Sequence, residues 1–245
     1  MTPVQQFALE VEENIRRMGE DADVQALSRI WLREIARHRY AYNFTWMGRP
    51  LIQFPQDMVA MQEIIWRVQP DVIIETGVAH GGSLIFYASL LELLGGDRTV
   101  IGIDIDIRAH NRAEIEKHPM SRRIQLVQGS SVDDSTANRV RDLVKGKKNA
   151  LVILDSNHTH AHVLRELQLY SPLVRKDSYI VVFDTLIEDM PDDLIHNRPW
   201  GRGNNPKTAV REFLTSTQRF AVDASIEHKL LITVAPGGYL RCVGD

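Results

Sequence analysis

The rhythm of apolar and polar positions changes near residue 70. Before it the spacing is helical: Val4, Phe7, Leu9, Val11 and Ile15 make a rough face, and Leu27, Ile30, Trp31 and Ile35 a clearer one. The stretch TWMGRPLIQFPQDM interrupts this with Gly48, Pro50 and Pro55 and is expected to be an ordered loop. Asp57 is expected to cap the helix MVAMQEIIWRVQP that follows. Beyond residue 70, short apolar runs alternate with amphipathic stretches. Strands are expected over 71–77, 98–106, 123–131, 149–157 and 177–185, with a helix after each of the first four. A long polar segment precedes a helix from Pro206, and the tail from Phe220 reads as closing strands.

Five such alternations imply βαβ units, hence an α/β fold with a parallel sheet and helices on both faces. Ligands of such sheets lie beyond the carboxyl ends of the strands, so the polar residues there carry the candidate chemistry. The first strand ends in ETGVAHGGS, residues 75–83. Its spacing is neither that of a dinucleotide loop nor that of a P-loop. Glycines still let a ligand approach the backbone at a helix start, and Glu75 suits a cationic or amine-bearing ligand better than a phosphate. A tight turn with a capping acid explains the motif equally well. The second strand ends in Asp104, which is suited to accept from both hydroxyls of a ribose. Acid and glycines on one strand and acid on the next form the pattern of S-adenosylmethionine binding. Ser131, after the third strand, is expected near the adenine, although Ser-Ser-Val-Asp-Asp is also capping material. Asp155 and Asp184 end the fourth and fifth strands. Either alone would serve as a cap; together at neighbouring strand ends they suit a hard cation such as Mg²⁺ or Mn²⁺, with Asn157 and Thr185 as further oxygen donors.

The bulk numbers narrow the class without naming it. The chain has 245 residues, 44% hydrophobic and 25% charged, with a net charge of −3. This gives no general attraction to nucleic acid or anionic membrane. One cysteine, Cys242, excludes an internal disulfide and fits a reducing, cytoplasmic setting. The first residues lack a signal-peptide pattern, and no apolar run is long enough for a membrane span.

The segments NFTWMGRPLIQFPQDMVAMQEIIW, IIETGVAHGGSLIFYASLLEL, LDSNHTHAHVL, VVFDTLIEDMP, RPWGRGNNPKTAV and HKLLITVAPGGYL together resemble the cephalosporin-hydroxylase-like family, which includes rhamnosyl O-methyltransferases. The resemblance implies a Rossmann-like class I methyltransferase: a mostly parallel seven-stranded sheet with a C-terminal antiparallel hairpin. Residues 1–56 would be an N-terminal helical and loop extension for substrate or oligomer contacts, and 57–245 the methyltransferase domain. S-adenosyl-L-methionine would lie on Glu75, Gly77, Ala79, Gly81, Ser83, Asp104, Ser131 and Asp155. A more distant similarity to catechol-type O-methyltransferases implies a metal on Asp155, Asp184 and Thr185, where Thr185 replaces the usual Asn. His158 stands where those enzymes have a basic lysine, which implies a catalytic base. Trp46, Trp200 and Asn205 are candidate acceptor contacts, and the segment from Glu188 to Pro206 a candidate lid.

The expected function is therefore divalent-metal-dependent O-methylation of a vicinal diol on a sugar, glycoside or related small molecule, by a homo-oligomer. Two other classes compete. An iron hydroxylase commonly carries His-x-[Asp/Glu], and no histidine here is followed two positions later by an acid. A nucleoside-binding protein without catalysis would not need Asp155, Asp184 and His158.

Overall fold

In the computed structural model, which describes residues 1–194 and 197–244, the sequence forms a seven-stranded sheet between two helical layers. Its strands are β3 (Val72–Thr76), β4 (Thr99–Asp104), β5 (Ile124–Gln128), β6 (Ala150–Leu154), β7 (Tyr179–Val182), β8 (Phe220–Val222) and β9 (Tyr239–Cys242). Their spatial order is β5-β4-β3-β6-β7-β9-β8. The pairs from β5 to β7 are parallel, and β9 runs antiparallel to both β7 and β8. The order reverses between β3 and β6, which leaves a crevice at the carboxyl edge where the two halves diverge.

The central strands are apolar at nearly every position because both faces are covered. Ile73, Leu151, Ile153, Tyr179 and Val181 belong to the core beneath α3 (Pro55–Val68) and α4 (Gly82–Leu94). Their neighbours Val72, Ile74, Val152, Leu154 and Ile180 belong to the opposite core. That second core is closed by α6 (Asp134–Leu143), α7 (His160–Tyr170) and α8 (Pro206–Ser216). The remaining helix of the parallel half, α5 (Ala109–Lys117), follows β4.

Three sequence expectations change. The stretch after residue 43 is not only loop: β1 (Phe44–Trp46) and β2 (Arg49–Leu51) pair as an antiparallel hairpin. Its turn is Met47 and Gly48, both at positive φ, and turn-type backbone of this kind joins two-residue hairpins. The tail is not all strand, since α9 (Ala224–Leu230) separates β8 from β9. Asp57 is not a cap: Phe54 holds that position, and Asp57 is completely buried inside the first turn of α3. Its carboxylate accepts from Tyr239 (2.6 Å), from the Val234 amide (2.9 Å) and from the Thr233 hydroxyl.

Before the sheet come α1 (Pro3–Glu20) and α2 (Ala22–Ala36), each opened by a side-chain cap, Thr2 and Asp21. No helix among the described residues is long and apolar enough to cross a membrane.

The tightest point of the sheet is Gly77. Its φ is +92°, and a Cβ there would lie 2.0 Å from the Asp155 carbonyl oxygen. Both facts demand glycine. Gly77→Ala is expected to cost about 2–4 kcal/mol of stability through backbone strain and displacement of β6. Urea denaturation checks this, and a wild-type midpoint would show that the strands separate freely there.

Candidate active site

The alternation that builds the core also aims the site. Glu75 pairs with Gly102 and Ile153 in the sheet register and continues the series of Ile73 on the α3/α4 face. Asp155 continues Leu151 and Ile153 on the same face, its amide bonded to the Thr76 carbonyl (3.0 Å). Asp104, two positions beyond Gly102, falls there too.

Glu75 is completely buried, with one carboxylate oxygen accepting from the Ser83 hydroxyl (2.6 Å). Its other oxygen, Oε1, has no hydrogen-bond partner among the described residues. Burial pushes its pKa up to about 8, although Ser83 and Tyr87 favour the charged form. Asp104 grips the loop that follows Gly77, accepting from the amides of Val78 (2.8 Å) and Ala79 (3.5 Å) and, through its second oxygen, from Asp106 (3.0 Å). Asp106 itself caps no helix, because Arg108 stands before α5. Ala79 has φ +44°, and Gly81, at φ +79°, is the N-cap of α4. A Cβ on Gly81 would meet Ile115.

Asp155, His158 and Asp184 come together at the ends of β6 and β7. Their ligand atoms lie within 4.8 Å of one another, and His158 Nε2 is 2.9 Å from Asp184. Asp184 has left-handed backbone, φ +56°. Burial and the charge of Asp184 hold the Asp155 carboxyl well above the usual range, against the opposing pull of His158. Burial would likewise raise Asp184, but the His158 charge and hydrogen bond, with help from Arg198, bring it below its ordinary value. For His158 burial acts downward, and Asp184, Asp155 and Glu166 outweigh it, setting its pKa at about 9. His158 is thus paired with Asp184 while Asp155 is held toward its protonated form, and a divalent cation would relieve the same crowding of acids.

The three histidines of HTHAH point three ways. His160 joins α7 to α8, its ring nitrogens 2.8 Å from Thr208 Oγ1 and 3.0 Å from Glu212. His162 meets Ser131 (3.0 Å) and Ser156 (3.2 Å). Among the three, His158 faces the Asp155–Asp184 pair. Trp200 sets its ring edge-to-face on His158, centroids 4.8 Å apart, with the Arg198 guanidinium 5.3 Å from the indole. The expected lid includes residues 195 and 196, which lie outside the described residues.

Five expected site residues have hydrogen-bond partners within the protein. Ser131 is buried and donates to Glu166 (2.5 Å). Thr185 is fully buried and donates to the Pro236 carbonyl (3.0 Å), which takes its hydroxyl away from the carboxylate pair. Trp46 donates to Ser89 (3.1 Å) and packs edge-on against Phe86, anchoring the β1–β2 hairpin to α4. Asn205 is the buried N-cap of α8, accepting from Lys207 and Thr208 and donating to Gly201 and Glu188. Asn157 bonds its own loop at Thr159.

Two residues went unread in the sequence. Gln53 is buried and donates to Asp155 (3.2 Å). Nothing in QFPQ marked it. Glu166, fully buried, accepts from both Ser131 and Ser156. Its position three residues after Val163 and four before Tyr170 put it on the apolar face of a helix, a legible signal of a buried acid.

Residues 38–243 match the family model described as Rhamnosyl O-methyltransferase/CmcI. The chain belongs to this family. It is 31% identical over 201 residues to the rhamnosyl O-methyltransferase of Mycobacterium tuberculosis strain H37Rv, covering 80% of this chain and 77% of that protein. The Mycobacterium leprae rhamnosyl O-methyltransferase is 29% identical over 161 residues, covering 63% and 68%. Among solved structures, a CmcI structure described as "Mg-SAM" superposes with a TM-score of 0.57 at 21% identity, covering 83% of this chain and 78% of that one. The chain shares its fold with that CmcI structure and is an O-methyltransferase of this family.

The buried acid of β3 gives a ligand-free prediction. With a folded pKa of about 8 against an ordinary 4.5, folded Glu75 keeps its proton where the unfolded chain releases it. Stability therefore falls as pH rises from about 4.5 through 8. Glu75→Gln should flatten that part of the curve and gain on the wild type as pH rises. Denaturation at pH 5 and pH 8 measures this, and identical slopes in both proteins would mean that Glu75 ionises freely.

Proposed function

We propose that the protein methylates one hydroxyl of a vicinal diol on a sugar or glycoside, with a divalent cation held by Asp155 and Asp184 and with His158 as the base. The observation that carries this reading is the convergence of Asp155, His158 and Asp184 beside the glycine loop. The relatives support the acceptor class, since those named rhamnosyl O-methyltransferases act, by that name, on a sugar.

The residues fit both absent groups. Two acids and an imidazole whose ligand atoms lie within 4.8 Å of one another suit Mg²⁺ or Mn²⁺. The unpaired Oε1 of buried Glu75 suits a cationic amine, and the Asp104-held loop offers glycine-lined backbone to a nucleoside. When bound, the cofactor supplies a methyl group on a sulfonium, and the cation supplies positive charge beside the acceptor hydroxyls.

The chain's own groups then orient and deprotonate. Trp200 covers one edge of His158 and limits water there. His158 Nε2 receives the acceptor proton, a task it performs only as neutral imidazole. Its pKa of about 9 in the metal-free cluster comes mainly from carboxylate charge working against burial, so a cation on those carboxylates lowers it. Activity should accordingly rise with pH and level off at an apparent pKa below 9. An apparent pKa at or above 9 in saturating metal would remove His158 from the role of base.

Chelation should abolish methyl transfer, and Mg²⁺ or Mn²⁺ should restore it. Asp155→Ala and Asp184→Ala should mimic the chelated enzyme while still binding S-adenosylhomocysteine. Full turnover in excess chelator contradicts the metal's role. His158→Ala should lower turnover by roughly 10²–10⁴-fold with metal affinity intact. The second reading, with His158 as a third ligand, is favoured by the proximity of all three ligand atoms. It requires His158→Ala to weaken metal binding as well, so a metal titration of this variant separates the two.

Trp200→Ala should raise the acceptor's KM more than it changes cofactor affinity. Equal changes would make Trp200 a structural anchor. Methyl transfer without dioxygen distinguishes the proposal from a hydroxylase, and release of S-adenosylhomocysteine distinguishes it from mere nucleoside binding.

A further inference from the structure

The N-terminal segment is built into the glycine loop. Arg49 in β2 donates twice to the His80 carbonyl (3.1 and 2.6 Å) and once to Asn111 (3.2 Å), which in turn donates to the Ala79 carbonyl (2.9 Å). The next residue, Pro50, lies so close to Gly82 that a Cβ on the glycine would be 2.0 Å from the Pro50 carbonyl oxygen. Three positions on, Gln53 turns inward. Only 5% of it is exposed, and its Nε2 donates to Asp155 Oδ2 (3.2 Å). Its Oε1 is buried with no hydrogen-bond partner among the described residues.

An unpaired buried amide oxygen is costly, and the case here is not isolated. Glu75 Oε1 is also buried without a close hydrogen-bond partner, although the Tyr87 hydroxyl favours the charged carboxylate. Glu75 and Asp155 project from adjacent strands on one face, and Glu75 bears on the charge of Asp155. Gln53 therefore reaches the same side of the sheet through its bond to Asp155. An unpaired amide oxygen and a buried acid, both beside Asp155, call for a group that carries several donors and positive charge. An ammonium has three N–H donors and no acceptor.

We propose that Gln53 belongs to the cofactor site: its Oε1 accepts a hydrogen bond from the ammonium at the amino-acid end of S-adenosylmethionine, while its Nε2 holds Asp155. This rests on the cofactor reading above. It makes the N-terminal segment part of the cofactor pocket in addition to any contact with acceptor or with another subunit.

The test is calorimetric titration with two probes, S-adenosylhomocysteine and its deaminated analogue, which keeps the carboxylate and lacks the ammonium. Gln53→Met keeps the size and removes the acceptor. It should weaken S-adenosylhomocysteine roughly tenfold or more, the scale of a hydrogen bond to a charged group, and leave the deaminated analogue within about twofold. Gln53→Glu keeps an acceptor and should preserve the wild-type preference for the ammonium-bearing probe, which keeps the test decisive even where Gln53→Met fails to fold. Equal weakening of both probes in Gln53→Met, or no weakening of either, overturns the proposal. So does loss of the preference in Gln53→Glu. Wild-type protein that binds neither probe overturns the cofactor reading itself, whereas wild-type binding with an indifferent Gln53→Met overturns the role of Gln53 alone.

Discussion

Asp155 and Asp184 end neighbouring parallel strands, and the register of β6 and β7 leaves them close together. Carboxylates so close resist being charged at once unless positive charge stands between them. Nearby features follow from that constraint. His158 stands beside the pair, and the nearby acids push its pKa up to about 9 against the effect of burial. Gln53 supplies a neutral donor to Asp155, Arg198 adds charge felt by Asp184, and Trp200 seals one side.

What the sequence disclosed and what it hid divide along a physical line. Buried parallel strands must be apolar on both faces, so the first polar residue after each run marks the sheet's edge. Glu75, Asp104, Asp155 and Asp184 were legible for that reason alone. Their roles toward a ligand were suggested by the chemistry of acids at those strand ends and by family resemblance, because periodicity says where a side chain lies and nothing of what it holds. The residues that turned elsewhere were governed by distant partners. Trp46 is claimed by Ser89, Thr185 by Pro236 and Ser131 by Glu166, across 43, 51 and 35 positions. No local pattern encodes such pairings. Asn205 is the exception, since Asn before Pro-x-x opens many helices, and its capping role could have been preferred to acceptor contact from the start.

Gln53 and Glu166 belong to a different class. Both are polar groups spent on arranging other polar groups, and both are buried. Glu166 fixes Ser131 and Ser156 from beneath, so the loops after β5 and β6 share one carboxylate. The stretch that carries Asp155 and His158 is thereby tied on one side to Gln53 and on the other to α7. A site held from two opposite directions suits chemistry that depends on placing a nucleophile within a few tenths of an ångström.

Asp57 bears on the order in which the chain can assemble. Its three protein donors come from Thr233, Val234 and Tyr239, which lie 176, 177 and 182 residues further along. Any partly folded state that docks α3 on the sheet before β9 arrives must bury a carboxyl with none of these donors. That penalty falls on premature compaction and vanishes once the last strand is in place. A single acid in the first turn of α3 thus couples the docking of that helix to the arrival of the C-terminal strand.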